Sequence, residues 1–308
     1  MRGFWELHFF LSRPWLLNRK TVWFAKEGTG AVDSMPWMMI NGLFSYYEVR
    51  GTGFPLVLIH NDAFSSAVWD SLLPQVLPGR LVVTYDRRGH GATEIPPPSQ
   101  PFSFEDCALD LKGLVDSLKL GQVDLFGYSG GALVALDFCR RWPEQVRSLV
   151  LAEPPMLGLA KEFPIETNGL KADEINEIVD RQGVQAGIER WFSAVLPADR
   201  LGIIFRSRFR GTVLSRPSWI ISGILKAGEE YCPSRDSLAR IFHPTLLVLG
   251  RESRPVFSSV ISVLSRLLPN NRVLTIPGAD HGTLVLPSVP LLEGLGKFWG
   301  QFSPTGCP

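Results

Sequence analysis

The ten residues Val123-Asp124-Leu125-Phe126-Gly127-Tyr128-Ser129-Gly130-Gly131-Ala132 leave this chain few ways to fold. An apolar run of strand character ends in Gly-Tyr-Ser-Gly-Gly and passes at once into a helical pattern over residues 132–141. A turn that tight strains the backbone at the serine and tolerates almost no side chain beside it, and Gly127 and Gly131 supply the clearance. The serine hydroxyl then projects from the carboxyl edge of a sheet, with the start of a helix aimed at it. A glycine-rich turn around an ordinary serine has the same five letters, so the rest of the chain has to discriminate.

The flanking pattern agrees with a parallel sheet. Residues 39–41 and 44–49 read as a hairpin, with Asn41-Gly42 as the turn. Continuous apolar runs at 56–60, 81–85, 123–126 and 146–152 suit strands buried on both faces. Helical spacing falls between them at 68–77, 104–118 and 132–141. Alternation of this kind predicts an α/β fold with a mostly parallel, doubly wound sheet. It stops at Glu153-Pro154-Pro155 and resumes with 245–249, 260–268, 273–276 and a closing helix near 289–302. The stretch between leans to helix and is rich in aromatics: Phe163, Trp191, Phe192, Phe205, Phe209 and Trp219. Four parts follow: an extension over 1–37, a first sheet part over 38–153, a helical insertion over 154–242, and a second sheet part over 243–308.

Composition narrows the function classes. In 308 residues the formal net charge is +1, so neither nucleic acid nor an anionic membrane is an obligatory partner. No apolar run approaches the ~20 residues of a membrane span; Glu6 and His8 interrupt the one near the start. Cys107, Cys139, Cys232 and Cys307 show no paired spacing, which points to thiols in a reducing, cytoplasmic compartment. The five histidines form no HExxH, so neither a metal nor any other cofactor is expected. Nothing here bears on oligomeric state.

A serine at neutral pH needs a base within reach. His281, in Ile276-Pro277-Gly278-Ala279-Asp280-His281-Gly282, follows the last strand and opens over the same sheet edge as Ser129. His90, in Asp86-Arg87-Arg88-Gly89-His90-Gly91, suits a tight bend walling the site, whereas His243 and His8 read as surface or core residues. The N–H of Gly130, at the helix start, is free to bind an oxyanion.

Taken together, His60 after the third strand, the Asp86–Gly91 turn, the Gly127–Gly131 elbow and Gly278–His281 resemble the α/β-hydrolase superfamily from about Met38 onward. The resemblance implies a Ser–His pair and an insertion that caps the active site. Two positions depart from the pattern. Family members often have His-Gly where this chain has His60-Asn61-Asp62-Ala63, so the second oxyanion donor is expected to be the backbone N–H of Asp62, with a carboxylate close by. The common position of the triad acid, Gly-x-x-Asp after residues 245–249, reads Gly250-Arg251-Glu252-Ser253. Some branches resemble this chain in carrying the acid one strand earlier, where Glu153 stands. Glu153 is therefore expected to serve, rather than Glu252, whose loop also holds Arg251 and Arg254; Asp280 adjoins His281 too closely to orient it.

The reading that follows is hydrolysis of a small-molecule carboxylic ester or lactone by Ser129, His281 and Glu153, with water as the only co-reactant. C–C bond hydrolysis or cofactor-free peroxidation at the same site is the alternative within the class. A ligand-binding or receptor protein of the same fold is the alternative outside it, motivated by Asn61 and Ser253. An arginine among Arg206, Arg208 and Arg210 that reached inward would bind a substrate carboxylate.

Overall fold

The structure is a computed structural model that describes residues 36–167, 171–197, 200–202, 211, 214 and 218–302, without the side chain of Trp219. The expectations on residues 1–35, Phe205, Arg206, Arg208, Phe209, Arg210, Cys307 and the Trp219 side chain lie outside the described residues.

Eight strands form one sheet in the order β1-β2-β4-β3-β5-β6-β7-β8. The hairpin β1 (Trp37–Ile40) and β2 (Leu43–Gly51) turns at Asn41-Gly42, where both residues have positive φ, 47° and 81°. Trp37, counted with the extension in the sequence reading, is the first residue of β1, and its ring packs edge-on to Tyr46 at 5.3 Å. From β4 (Arg80–Tyr85) and β3 (Phe54–Ile59) onward the pairing is parallel, through β5 (Val123–Tyr128), β6 (Val146–Ala152), β7 (Thr245–Gly250) and β8 (Asn271–Ile276). All six residues of β5 are buried, which is why its sequence is continuously apolar but for Asp124.

The pleat divides the core. Val57 and Ile59 face one apolar cluster, shared with α2 (Phe104–Ser117), α3 (Gly130–Arg141) and α8 (Pro255–Leu267). Leu56 and Leu58 face the other, shared with the short α1 (Leu73–Val76) and α9 (Val289–Gly300). The sheet is thus covered on both sides. Helix α2 starts at Ser103, whose hydroxyl accepts the Asp106 N–H, and Glu105 and Asp106 complement its first turn. Its buried stripe runs through Phe104, Cys107, Ala108, Leu111, Leu114 and Val115. Leu109, which the apolar spacing would count inward, lies off that stripe and is exposed. The single helix expected over 68–77 is two pieces, a 3₁₀ turn (Ser66–Trp69) and α1; Pro74 fits only in a first turn, so helix begins afresh there.

Between β6 and β7 the chain leaves the sheet and builds a 3₁₀ turn (Leu157–Lys161), then α4 (Ala172–Gln182), α5 (Val184–Val195), α6 (Ser218–Glu230) and α7 (Arg235–Ala239). The fold is therefore α/β, with a mostly parallel doubly wound sheet and a helical insertion. Register brings Ile59 level with Gly127, and Tyr128 level with Ala152. The loops after β3, β5, β6, β7 and β8 consequently open over one edge. Because β4 lies on one side of β3 and β5 on the other, the strand order reverses there, where α/β sheets place their ligand crevice.

Candidate active site

Ser129 follows β5 directly, at φ 54° and ψ −125°, a conformation that side-chain-bearing residues rarely hold. Its N–H still donates to the Ala152 carbonyl at 2.8 Å, so the strained residue is fixed by the neighbouring strand. The glycines around it are required by space. A Cβ on Gly127 would lie 2.3 Å from the Gly131 oxygen, and one on Gly131 would lie 2.2 Å from that of Ile59. Gly130 has a different reason: a Cβ there would lie 2.0 Å from a carboxylate oxygen of Asp62.

The structure brings His281 to Ser129, with Nε2 3.1 Å from Oγ. The Nδ1–H of the same ring donates to Glu153 Oε2 at 2.7 Å. Glu153 is fully buried, also has positive φ at 46°, and accepts the Gly250 N–H on Oε1 at 2.7 Å. Its N–H donates to Val248, so β7 holds both ends of the residue. Glu252 is exposed instead, and Ser253, at the more common acid position, keeps a buried Oγ with no partner among the described residues. Asp280 points away from the imidazole and pairs with Arg200 Nε at 2.8 Å.

Two residues that sequence reasoning missed secure His281. The Tyr128 hydroxyl donates to the His281 carbonyl, and burial pushes the phenol well above its usual pKa, so it stays a donor. Phe257, in the first turn of α8, stacks on the imidazole. The position of Tyr128 beside the nucleophile was the available signal for the first; nothing in the local sequence marked the second.

Asp62 sits where the loop after β3 passes Ser129. Its carboxylate accepts from Arg87 Nη2 at 2.6 Å, and its carbonyl lies 3.0 Å from His90 Nε2. Burial works against charge on Arg87, but the adjacent Asp62 outweighs it and holds the guanidinium above its ordinary pKa. The Asp62 charge is thereby countered by a buried guanidinium. Asn61 Oδ1 accepts the Phe64 N–H at 3.2 Å, giving this loop a side-chain turn where glycine is more common. His60 accepts the Arg87 N–H, and His243 lies elsewhere, against Cys139 and Pro143.

These groups open onto a cleft of about 410 Å³. Phe64 and Val285 line it from the sheet loops; Leu157, Trp191, Phe192 and Ile224 line it from the insertion. Trp191 and Phe192 are both buried among the insertion's helices and face the cleft. Among the described residues no cluster of His, Cys, Asp or Glu is arranged to hold a metal, and no helix is long and apolar enough to cross a membrane.

Residues 56–292 match the model of the Alpha/beta hydrolase family. The chain is 25% identical over 238 residues to a 2-(acetamidomethylene)succinate hydrolase of Mesorhizobium japonicum, covering 75% of this chain and 83% of that one. It is 25% identical over 268 residues to a 2-hydroxy-6-oxo-2,4-heptadienoate hydrolase of Pseudomonas putida, covering 79% and 88%. In fold it is similar to the enol-lactonase from Burkholderia xenovorans, with a TM-score of 0.73 at 18% identity over 86% of this chain and all of that one. With the family model running from β3 through the elbow and the insertion into α9, the chain belongs to the alpha/beta hydrolase family.

Proposed function

We propose that this protein is a serine hydrolase that opens a carboxylic ester or lactone through an acyl-enzyme. The observation that carries the reading is the continuous hydrogen-bond chain from Ser129 Oγ through His281 to Glu153, at 3.1 and 2.7 Å. In it, Ser129 Oγ attacks the carbonyl carbon as His281 Nε2 takes its proton, and Glu153 fixes the tautomer and stabilises the imidazolium. The oxyanion is held by the backbone N–H groups of Gly130 and Asp62, at the start of α3 and in the facing loop. Collapse breaks the C–O bond, and His281 returns its proton to the leaving oxygen. Water then attacks the acyl-enzyme with His281 again as base, releasing the acid and restoring the serine. The insertion, over roughly 154–242, excludes bulk water and shapes the cleft for an apolar acyl or alcohol part.

A fluorophosphonate probe tests the reading: it should label the native protein and leave Ser129→Ala unlabelled. Absence of labelling, in conditions that label a control esterase, would overturn it. The likeness to the Pseudomonas putida hydrolase favours C–C bond cleavage at the same site as a second reading. A panel of esters, lactones and vinylogous diketones separates the two by which class turns over.

A further inference from the structure

The cleft wall is mostly apolar, and among its described lining residues Arg200 is the one lysine or arginine. Its placement is built rather than incidental. The Arg200 N–H donates to the Pro197 carbonyl at 3.0 Å, and its Nε donates to Asp280 Oδ2 at 2.8 Å. The segment leading to it is tied down by Arg254, which donates to the Ser193 and Leu196 carbonyls at 3.0 and 3.2 Å. Asp280 is 3% exposed, and its other oxygen accepts the Gly282 N–H at 2.8 Å, so both of its oxygens are engaged. The Arg200 side chain is 38% exposed, and its Nη1 and Nη2 take no partner among the described residues. Arg200 thus lines the cleft with two N–H-bearing nitrogens left over from its ion pair, and Asp280 keeps no oxygen without a donor.

Among the described lining residues the one carboxylate, Asp62, is countered by Arg87 at 2.6 Å. Among the described residues, an anionic group entering the cleft therefore meets one arginine with donors to spare and one carboxylate that is already paired. A planar fork of N–H donors fits a carboxylate, and it gains strength beside apolar walls that exclude water.

We propose that the substrate carries a carboxylate besides its scissile carbonyl, and that the Nη groups of Arg200 hold it in the cleft beside the His281 loop. The inference rests on the ester reading and names its substrate class. Arg200 is a specificity-determining residue, and Asp280 is a positioning residue acting through it.

The test uses p-nitrophenyl hemiesters of the dicarboxylates from succinate to suberate, each paired with the neutral p-nitrophenyl ester of equal chain length. At the best length the native protein should favour the acid ester in kcat/KM by tenfold or more. Arg200→Met should cut that ratio by about 10- to 100-fold, chiefly through KM, as expected for one lost charge-assisted contact, and Arg200→Lys should keep part of it. A ratio of one or less at every length overturns the inference, as does a ratio that survives Arg200→Met. The neutral esters report separately on the reaction, since their failure to turn over counts against the ester reading alone. In that event, calorimetry on Ser129→Ala with the same dicarboxylates and the matching diols decides. Binding of the acids only, lost in Ser129→Ala/Arg200→Met, supports the inference, and equal or absent binding of both overturns it.

Discussion

The ring of Phe257 lies flat against the imidazole of His281, with centroids 4.0 Å apart and planes 11° from parallel. Phe257 belongs to α8, which follows the loop where the acid commonly resides in this family. That loop here holds Ser253 and an exposed Glu252, and the element contributes an aromatic face to the histidine instead of a carboxylate. A ring face favours the cation that forms when the base takes a proton.

Phe257→Leu should therefore lower kcat about 2- to 10-fold while changing KM less, the range expected from one aromatic contact. Steady-state kinetics on a neutral ester checks this. An unchanged kcat, with chemistry shown to be rate-limiting, would remove Phe257 from any role in the proton transfer.

Glu153→Gln keeps the shape of the side chain and loses the charge facing His281. It should reduce kcat on the order of 10⁴-fold, by analogy with the aspartate of serine proteases. Glu252→Gln, at an exposed position, should stay within about twofold of native. The reverse ranking, on variants with native circular dichroism, would move the acid to Glu252.

Gly130→Ala pushes a methyl group into the space of the Asp62 carboxylate, 2.0 Å from its nearer oxygen. Separating Asp62 from the fully buried Arg87 should destabilise the fold by about 3–5 kcal/mol in urea melts. If the variant melts as the native protein does, the Asp62–Arg87 pair is not what excludes a side chain at residue 130.

His243 lies away from the cleft, with Nε2–H donating to the Pro143 carbonyl and Nδ1 3.3 Å from the Cys139 thiol. Burial lowers its pKa from the ordinary 6.5, against the opposing pull of the Pro143 bond. Burial also pushes the Cys139 thiol up to about 12, so the thiol remains the donor and the neutral imidazole the acceptor. The unfolded chain then binds the proton more readily than the folded one, and stability falls as pH drops below 6.5 towards the lower folded value. His243→Gln should flatten that part of the profile of melting temperature against pH. A native profile already level across the interval would contradict the assignment.

The sequence by itself determined the sheet and the glycine-framed turn at Ser129, because both depend on local chemistry. The elbow needs Gly127 and Gly131 within a few residues of Ser129, and the buried strands need unbroken apolar runs. The break at Glu153-Pro154-Pro155 likewise marked the insertion, since strand–helix alternation is a short-range signal. What only the tertiary structure decided involves groups far apart in the chain. Tyr128 meets the His281 carbonyl 153 residues away, and Asp280, whose neighbour His281 faces the serine, turns to Arg200, 80 residues before it. Asp62 illustrates the limit most clearly. Its letter in the sequence predicted a carboxylate beside the proposed oxyanion donors, but the buried guanidinium that counters it comes from the end of another strand. Such pairings follow from strand order and register, which bring loop ends together over one sheet edge, and no local pattern of residues encodes that meeting.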